Sequence, residues 1–276
     1  MMKKLSGLIL LPLLVFLVAC DDDESNSFIA KDEHPSSSSV ESSSSVQSSS
    51  SLMSISGSSK IIKPSGTYDC SVYKCVTTEF LNQKMLEEGK YGEILDERDN
   101  QVYKTIQIGE QVWLAQNLNN VRSGFSSCCL DKLQSNCDKY GQLYTYKSPA
   151  YCPDGWRRAS MGEWRELIDF AGDSTTAARK LASQRGWYDE GVDVSGTDDF
   201  GFSMAPAGMR LNSFDEFSSP GNHAVFLFST GSPNSELMYT MSFHREYEDG
   251  EVKGYISNRS CINQFAAISI RCIKAK

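Results

Sequence analysis

Basic residues are in the minority: 27 lysines and arginines stand against 35 aspartates and glutamates, for a net charge of −8. With no basic stripe to release counterions from phosphates, nucleic acid is excluded as a partner. Histidine is scarce, limited to His34, His223 and His244, and the three lie far apart in the chain. No Cys-x-x-Cys pair occurs, so spacing offers no zinc ligand set, and neither a metal nor another cofactor is expected. Beyond residue 19 no apolar run is long enough to span a bilayer. Glycine-rich phosphate loops and kinase catalytic loops are also missing. Asp199-Phe200-Gly201 therefore reads as a turn, despite spelling a kinase triplet.

What is present begins with a targeting segment. Lys3 and Lys4 precede the apolar run LSGLILLPLLVFLVA, which is short and contains a proline, as in a signal peptide over residues 1–19. Its end, Leu17-Val18-Ala19-Cys20, resembles the lipobox of bacterial lipoproteins. That resemblance implies cleavage before Cys20 and acyl chains, palmitate among them, on its thiol and new amino group. Each buried methylene of such a chain contributes about 0.8 kcal/mol, so the membrane is the first expected partner. Residues 20–60 read as a disordered tether. They open with Asp21, Asp22, Asp23 and Glu24 and continue into SSSSVESSSSVQSSSS at 36–51. So little apolar surface cannot offset the entropy of ordering. As a coil, residues 21–60 average about 35 Å end to end and stretch to roughly 130 Å. The expected location is the cell envelope, at the outer membrane or cell surface.

Setting Cys20 aside from the nine cysteines leaves Cys70, Cys75, Cys128, Cys129, Cys137, Cys152, Cys261 and Cys272. An even number in an exported chain points to disulfides. Residues 61–92 read as a short cysteine-bearing extension in which Cys70 and Cys75 can bridge. A helix follows there, capped by Thr77 or Thr78, with Leu81 and Met85 on one face and Gly89 at its end. From residue 101 the period shortens to two. Val102, Lys104, Ile106 and Ile108 alternate with Tyr103, Thr105 and Gln107, and a Gly109-Glu110 turn returns the chain through Val112, Trp113 and Leu114. A further strand is expected in GQLYTY, 141–146.

The stretch CPDGWRRASMGEW, 152–164, is dense in potential chemistry. Ser160 and Glu163 have capping-box spacing, and Trp164, Leu167 and Ile168 mark one buried face of a helix closed by Gly172. A second helix is expected from Ser174 to about Ser183, with Ala178 and Leu181 inward and Gly186 as terminator. Glu163 and Glu166 are explained by capping and the helix dipole rather than as a glycosidase pair, whose carboxylates converge from separate elements. Tyr103, Trp113, Tyr144, Trp156, Trp164 and Trp187 have the rings to stack on sugars, but most stand where a core is expected.

Five segments together resemble the Fibrobacter succinogenes major paralogous domain family of exported bacterial proteins. They are RDNQVYKTIQIGEQVWLAQNLN (98–119), NCDKYGQLYTY (136–146), CPDGWRRASMGEWREL (152–167), GTDDFGFSMAPAGMR (196–210) and ISIRC (268–272). The resemblance covers residues 93–276 and implies an α+β, C-type-lectin-like domain: two helices and short twisted antiparallel sheets whose first and last strands pair. It implies a Cys152–Cys272 bridge, which is worth about 4 kcal/mol in the chain-entropy model. It also implies that Cys137 pairs with Cys128 or Cys129, the remaining one reaching Cys261. Where relatives carry His-Leu-Pro, this chain has Arg157-Arg158-Ala159, which makes Arg157 and Arg158 candidate ligand-binding residues. Phe226-Leu227-Phe228-Ser229, replacing an aromatic-rich stretch, reads as core.

The resemblance implies a lipid-anchored, non-catalytic recognition or adhesion domain for a polysaccharide or another envelope protein. The rivals are an enzyme and a purely structural envelope component. Formylglycine-generating enzymes share the broader fold and would use a reduced pair such as Cys261 and Cys272; glycan-active enzymes are the other catalytic class. Calcium-dependent sugar binding is disfavoured, because Ser232-Pro233-Asn234 lacks the carboxylate such loops supply.

Overall fold

The computed structural model describes residues 68–121, 127–145, 151–212, 216–218, 220–229, 238–262 and 265–276, without the side chains of 238 and 259–262. Cys20, the serine tract and Ser232-Pro233-Asn234 lie outside the described residues. No helix among the described residues is long and apolar enough to cross a membrane.

Short strands outnumber helices among the described residues. The chain runs through β1 (Lys74–Cys75), α1 (Gln83–Glu87), β2 (Gly92–Asp96), β3 (Gln101–Ile108) and β4 (Gln111–Leu114). Then come β5 (Ser127–Cys128), α2 (Gln134–Tyr140), β6 (Leu143–Thr145), β7 (Trp156–Arg158), α3 (Met161–Ala171) and α4 (Ser174–Leu181). The second half holds β8 (Tyr188–Asp189), β9 (Val192–Asp193), β10 (Met209–Arg210), β11 (Phe217–Ser218) and β12 (His223–Leu227). It finishes with β13 (Met238–Glu248), β14 (Glu251–Ile262), β15 (Ala267–Ile268) and β16 (Cys272–Lys274). This is an α+β architecture of small, mostly antiparallel sheets.

The first sheet has the order β1-β3-β4-β16-β7, with β2 also on β3. Gly109, at φ +57°, makes the expected turn between β3 and β4 and sets Ile106 opposite Trp113. The last strand, β16, lies between β4 and β7, so both ends of the family-like region share one sheet. A second sheet runs β11-β10-β15-β6-β5 and a third β12-β13-β14.

Two apolar clusters flank the first sheet. Ile106, Ile108 and Trp113 join α3, α4 and the β12–β13 face; Tyr103 and Leu114 join Tyr144, Ile268, Ile270 and Cys272. The strict in-out alternation expected for β3 is corrected here. Tyr103 and Thr105 are buried as well, and only Gln107 is exposed, because both faces of the strand meet a core. Each large apolar side chain placed there contributes about 1.5–3 kcal/mol.

Helices follow local signals where these are strong. Ser160 Oγ accepts the Glu163 N–H, and the Glu163 carboxylate accepts the Ser160 N–H, so the capping box at α3 forms as expected. Trp164, Leu167 and Ile168 are buried and Gly172 closes the helix. The second expected helix is α4, capped by Asp173 and ending at Leu181, short of Gly186. Two expectations are corrected. Asn82, not Thr77 or Thr78, caps α1, because Gln116 Nε2 draws the Val76 and Thr77 carbonyls into an extended path. An additional helix, α2, starts at Leu133 without a side-chain cap, so no capping signal announced it. The segment read as an extension is also part of the fold. β1 lies parallel to β3, and Leu81 is buried in the main core.

Candidate functional site

The motif residues that looked chemical are consumed by the fold. Gln101 Nε2 donates to the Asn119 carbonyl, Asn120 Nδ2 to Asp99 (2.5 Å), and the Asn119 N–H to the Tyr103 hydroxyl (2.9 Å). Asn117 Oδ1 accepts two bonds from Arg271, whose other donors reach the carbonyls of Leu114 and Phe202. Of the candidate sugar-stacking rings, Tyr103, Trp113, Tyr144, Trp164 and Trp187 are fully buried, and Trp156 is half-buried.

Arg157 and Arg158 alternate along β7 and have local tasks. Arg157 makes a bidentate pair with Glu163, at 2.5 and 2.7 Å, reinforcing the α3 cap. Burial alone would raise the Glu163 pKa, but hydrogen bonds from Arg157 and Ser160 outweigh it and hold the carboxyl below its usual range. Arg158 lies 4.9 Å above the Tyr151 ring. Arg157 thus has a folding role that the sequence reading did not give it.

Three disulfides are present among the described residues: Cys70–Cys75, Cys129–Cys137 and Cys152–Cys272. Cys128 is half-buried in β5, and the Cys261 side chain lies outside the described residues. Because Cys272 is bonded to Cys152, it does not supply the reduced pair that a formylglycine-type oxidase requires.

Asp198 is buried inside its own turn, where its carboxylate accepts from the Ser203 N–H and Oγ, both at 2.8 Å. Burial pushes its pKa up to about 7, against those two bonds and the charge of Arg271. Tyr91, whose hydroxyl lies 3.0 Å from Ser203 Oγ, is pushed to about 12 by burial and by Asp198. The Asp198 carbonyl accepts from Asn82 Nδ2, so this network locks α1 onto the GTDDFGF turn. Its groups face the core and act as a structural latch.

A different group gathers on the third sheet. Antiparallel register sets His223 opposite His244, and His244 opposite Tyr255. Strand alternation sends Phe243 into the core and Arg245 onto the Val194 and Ser195 carbonyls. His244 and Glu246 are thereby turned to the opposite face. The two imidazoles meet edge to face with centroids 3.9 Å apart, and His244 stacks on Tyr255 at 4.2 Å. Tyr255 donates its hydroxyl to Glu246 Oε1 at 3.3 Å. His223 Nδ1 meets Asn222 Oδ1 at 3.1 Å, and Asn222 Nδ2 donates to Asp189 at 2.9 Å. His244 Nε2 meets Ser257 Oγ at 3.3 Å.

One potential ligand atom from each of His223, His244 and Glu246 falls within 4.8 Å of the others. His244 is buried and the other two are half-buried. Sequence spacing sets the histidines far apart, and the strand register brings His223 and His244 side by side. The 20 residues between His223 and His244 are bridged by strand register alone. The signal available was His244 and Glu246 at i and i+2 of an alternating strand, which places them on one face but names no partner.

A family model described as Fibrobacter succinogenes major domain matches residues 106–274. Neither a curated protein nor a solved structure matches the chain.

Proposed function

This chain belongs to the Fibrobacter succinogenes major domain family, and from that premise we propose that it is a lipid-anchored envelope protein presenting a non-catalytic recognition domain. The observation that carries this reading is Leu17-Val18-Ala19-Cys20 at the end of an apolar run, followed at once by acidic residues and a serine tract. Acylation at Cys20 would fix the chain to a bacterial membrane. The tether would hold the domain tens of ångströms away, at roughly 35 Å on average. Pairing of β16 with β4 and the Cys152–Cys272 bridge support a C-type-lectin-like arrangement, in which both termini of the domain leave from one sheet.

Polysaccharide is the first ligand class, with another envelope protein as the alternative. In favour of sugar, Tyr188, Tyr247 and Tyr255 remain 53, 38 and 43% exposed while Trp113, Trp164 and Trp187 are buried. Asp189 accepts the Tyr247 N–H, which gathers β8 against the outer end of the β13–β14 hairpin. Amphipathic rings held at a surface suit sugar faces. The test is retention of the detergent-solubilised full chain on insoluble polysaccharides. The reading expects retention on at least one polymer and a tenfold or greater loss in Tyr188→Ala with Tyr255→Ala. No retention on any polymer would move the reading to a protein partner.

A further inference from the structure

We infer that His223, His244 and Glu246 bind one divalent transition-metal ion of the zinc class on the open face of the β12–β13–β14 sheet. The three donors are already gathered: their ligand atoms lie within 4.8 Å of one another. Tetrahedral zinc, with arms of about 2.0–2.1 Å, needs its ligand atoms roughly 3.4 Å apart, so small side-chain rotations close the set. Each donor also has the outer partner that a metal ligand requires. Asn222 Oδ1 holds His223 Nδ1, and Asn222 is itself braced by Asp189. Ser257 Oγ holds His244 Nε2, and the Tyr255 hydroxyl holds Glu246. Those bonds hold the two rings and the carboxylate in place around the point where their ligand atoms converge.

The donor types select the ion. Two imidazoles and one carboxylate suit zinc and its transition-metal neighbours; calcium and magnesium want an all-oxygen shell. A purely aromatic His–His–Tyr ladder would account for the stacking, but it has no use for a carboxylate converging on the two rings. Three protein ligands leave a coordination position for water or for an oxygen from an outside molecule. This inference is independent of the lipid anchor; it shares Tyr255 with the polysaccharide reading, but zinc uptake is read without any polymer, so each can fail alone.

The experiment uses the full chain in detergent, stripped with chelator and dialysed. Zinc uptake is measured by calorimetry and elemental analysis, and cobalt(II) by visible absorption. One zinc per chain is expected, with no comparable uptake of calcium or magnesium. The cobalt spectrum should show d–d bands without a thiolate charge-transfer band. His223→Ala and Glu246→Gln should each weaken zinc binding at least tenfold. Both positions are half-buried, so these variants keep the test valid if the buried His244→Ala fails to fold; circular dichroism checks their structure. Sub-stoichiometric zinc, a thiolate band, or a loss smaller than tenfold in His223→Ala would overturn the inference.

Discussion

Arg271 is a cation with no route to water, and its surroundings explain how the fold tolerates it. Its donors are taken by Asn117 Oδ1 and the carbonyls of Leu114 and Phe202, and its plane lies 4.5 Å from the Phe202 ring. Burial lowers its pKa to about 9, so it stays charged at neutral pH and adds no slope to stability between pH 5 and 8. Arg271→Met should therefore cost about 3 kcal/mol or more, since three buried acceptors lose their donor. Denaturant unfolding measures it. Asp198 behaves differently. Its folded pKa is raised to about 7, so its stabilising contribution is complete below the unfolded value near 3.8 and is lost as pH rises through 7. Stability should fall from about pH 4 to about pH 7 and level off above it, and Asp198→Asn should flatten that fall; an unchanged slope in the variant would contradict the assignment. Neither role was legible in the sequence. Arg271 appeared as one letter of ISIRC and Asp198 as part of a turn, and the partners of both are supplied by tertiary structure.

Elements were legible where their determinants are local. The start of α3 is encoded within four residues, Ser160 to Glu163, and forms as read. Ser160→Ala should cost about 1 kcal/mol, visible as a lower denaturation midpoint with unchanged slope. The same reasoning missed the contribution of Arg157, because its partner Glu163 lies across the turn from β7 into α3. The α1 cap was misplaced because a long-range bond from Gln116 decides where that chain stays extended. Close approach is equally hidden from local reading. A Cβ at Gly196 would collide with the carbonyl oxygens of Arg179 and Ala182 at the end of α4. Gly196→Ala should force α4 and the GTDDFGF turn apart and destabilise by about 1–3 kcal/mol, larger than a surface substitution. For the His223–His244–Glu246 group the sequence held half the answer: alternation gives the face, and only the β12–β13 register gives the neighbour.

At the scale of the molecule, sheet closure and cross-linking coincide. β16 lies between β4 and β7, and the Cys152–Cys272 bridge joins points 120 residues apart beside that seam. Replacing both cysteines by serine should cost about 4–5 kcal/mol in the chain-entropy model, measured by equilibrium unfolding under non-reducing conditions. The α+β class and this bridge were readable because the family motifs carry them. The division into extension and domain was not, since β1 and Leu81 join the fold through pairing and packing rather than through any composition change. The functional account rests on how the domain is held. The most direct measurement is the mass of the N-terminal peptide of the mature protein, recovered from membranes of the bacterium that makes it. The account predicts a chain beginning at Cys20 with a diacylglyceryl thioether and an acylated amino group. An unmodified Cys20 thiol, or a chain still carrying residues 1–19, would contradict it.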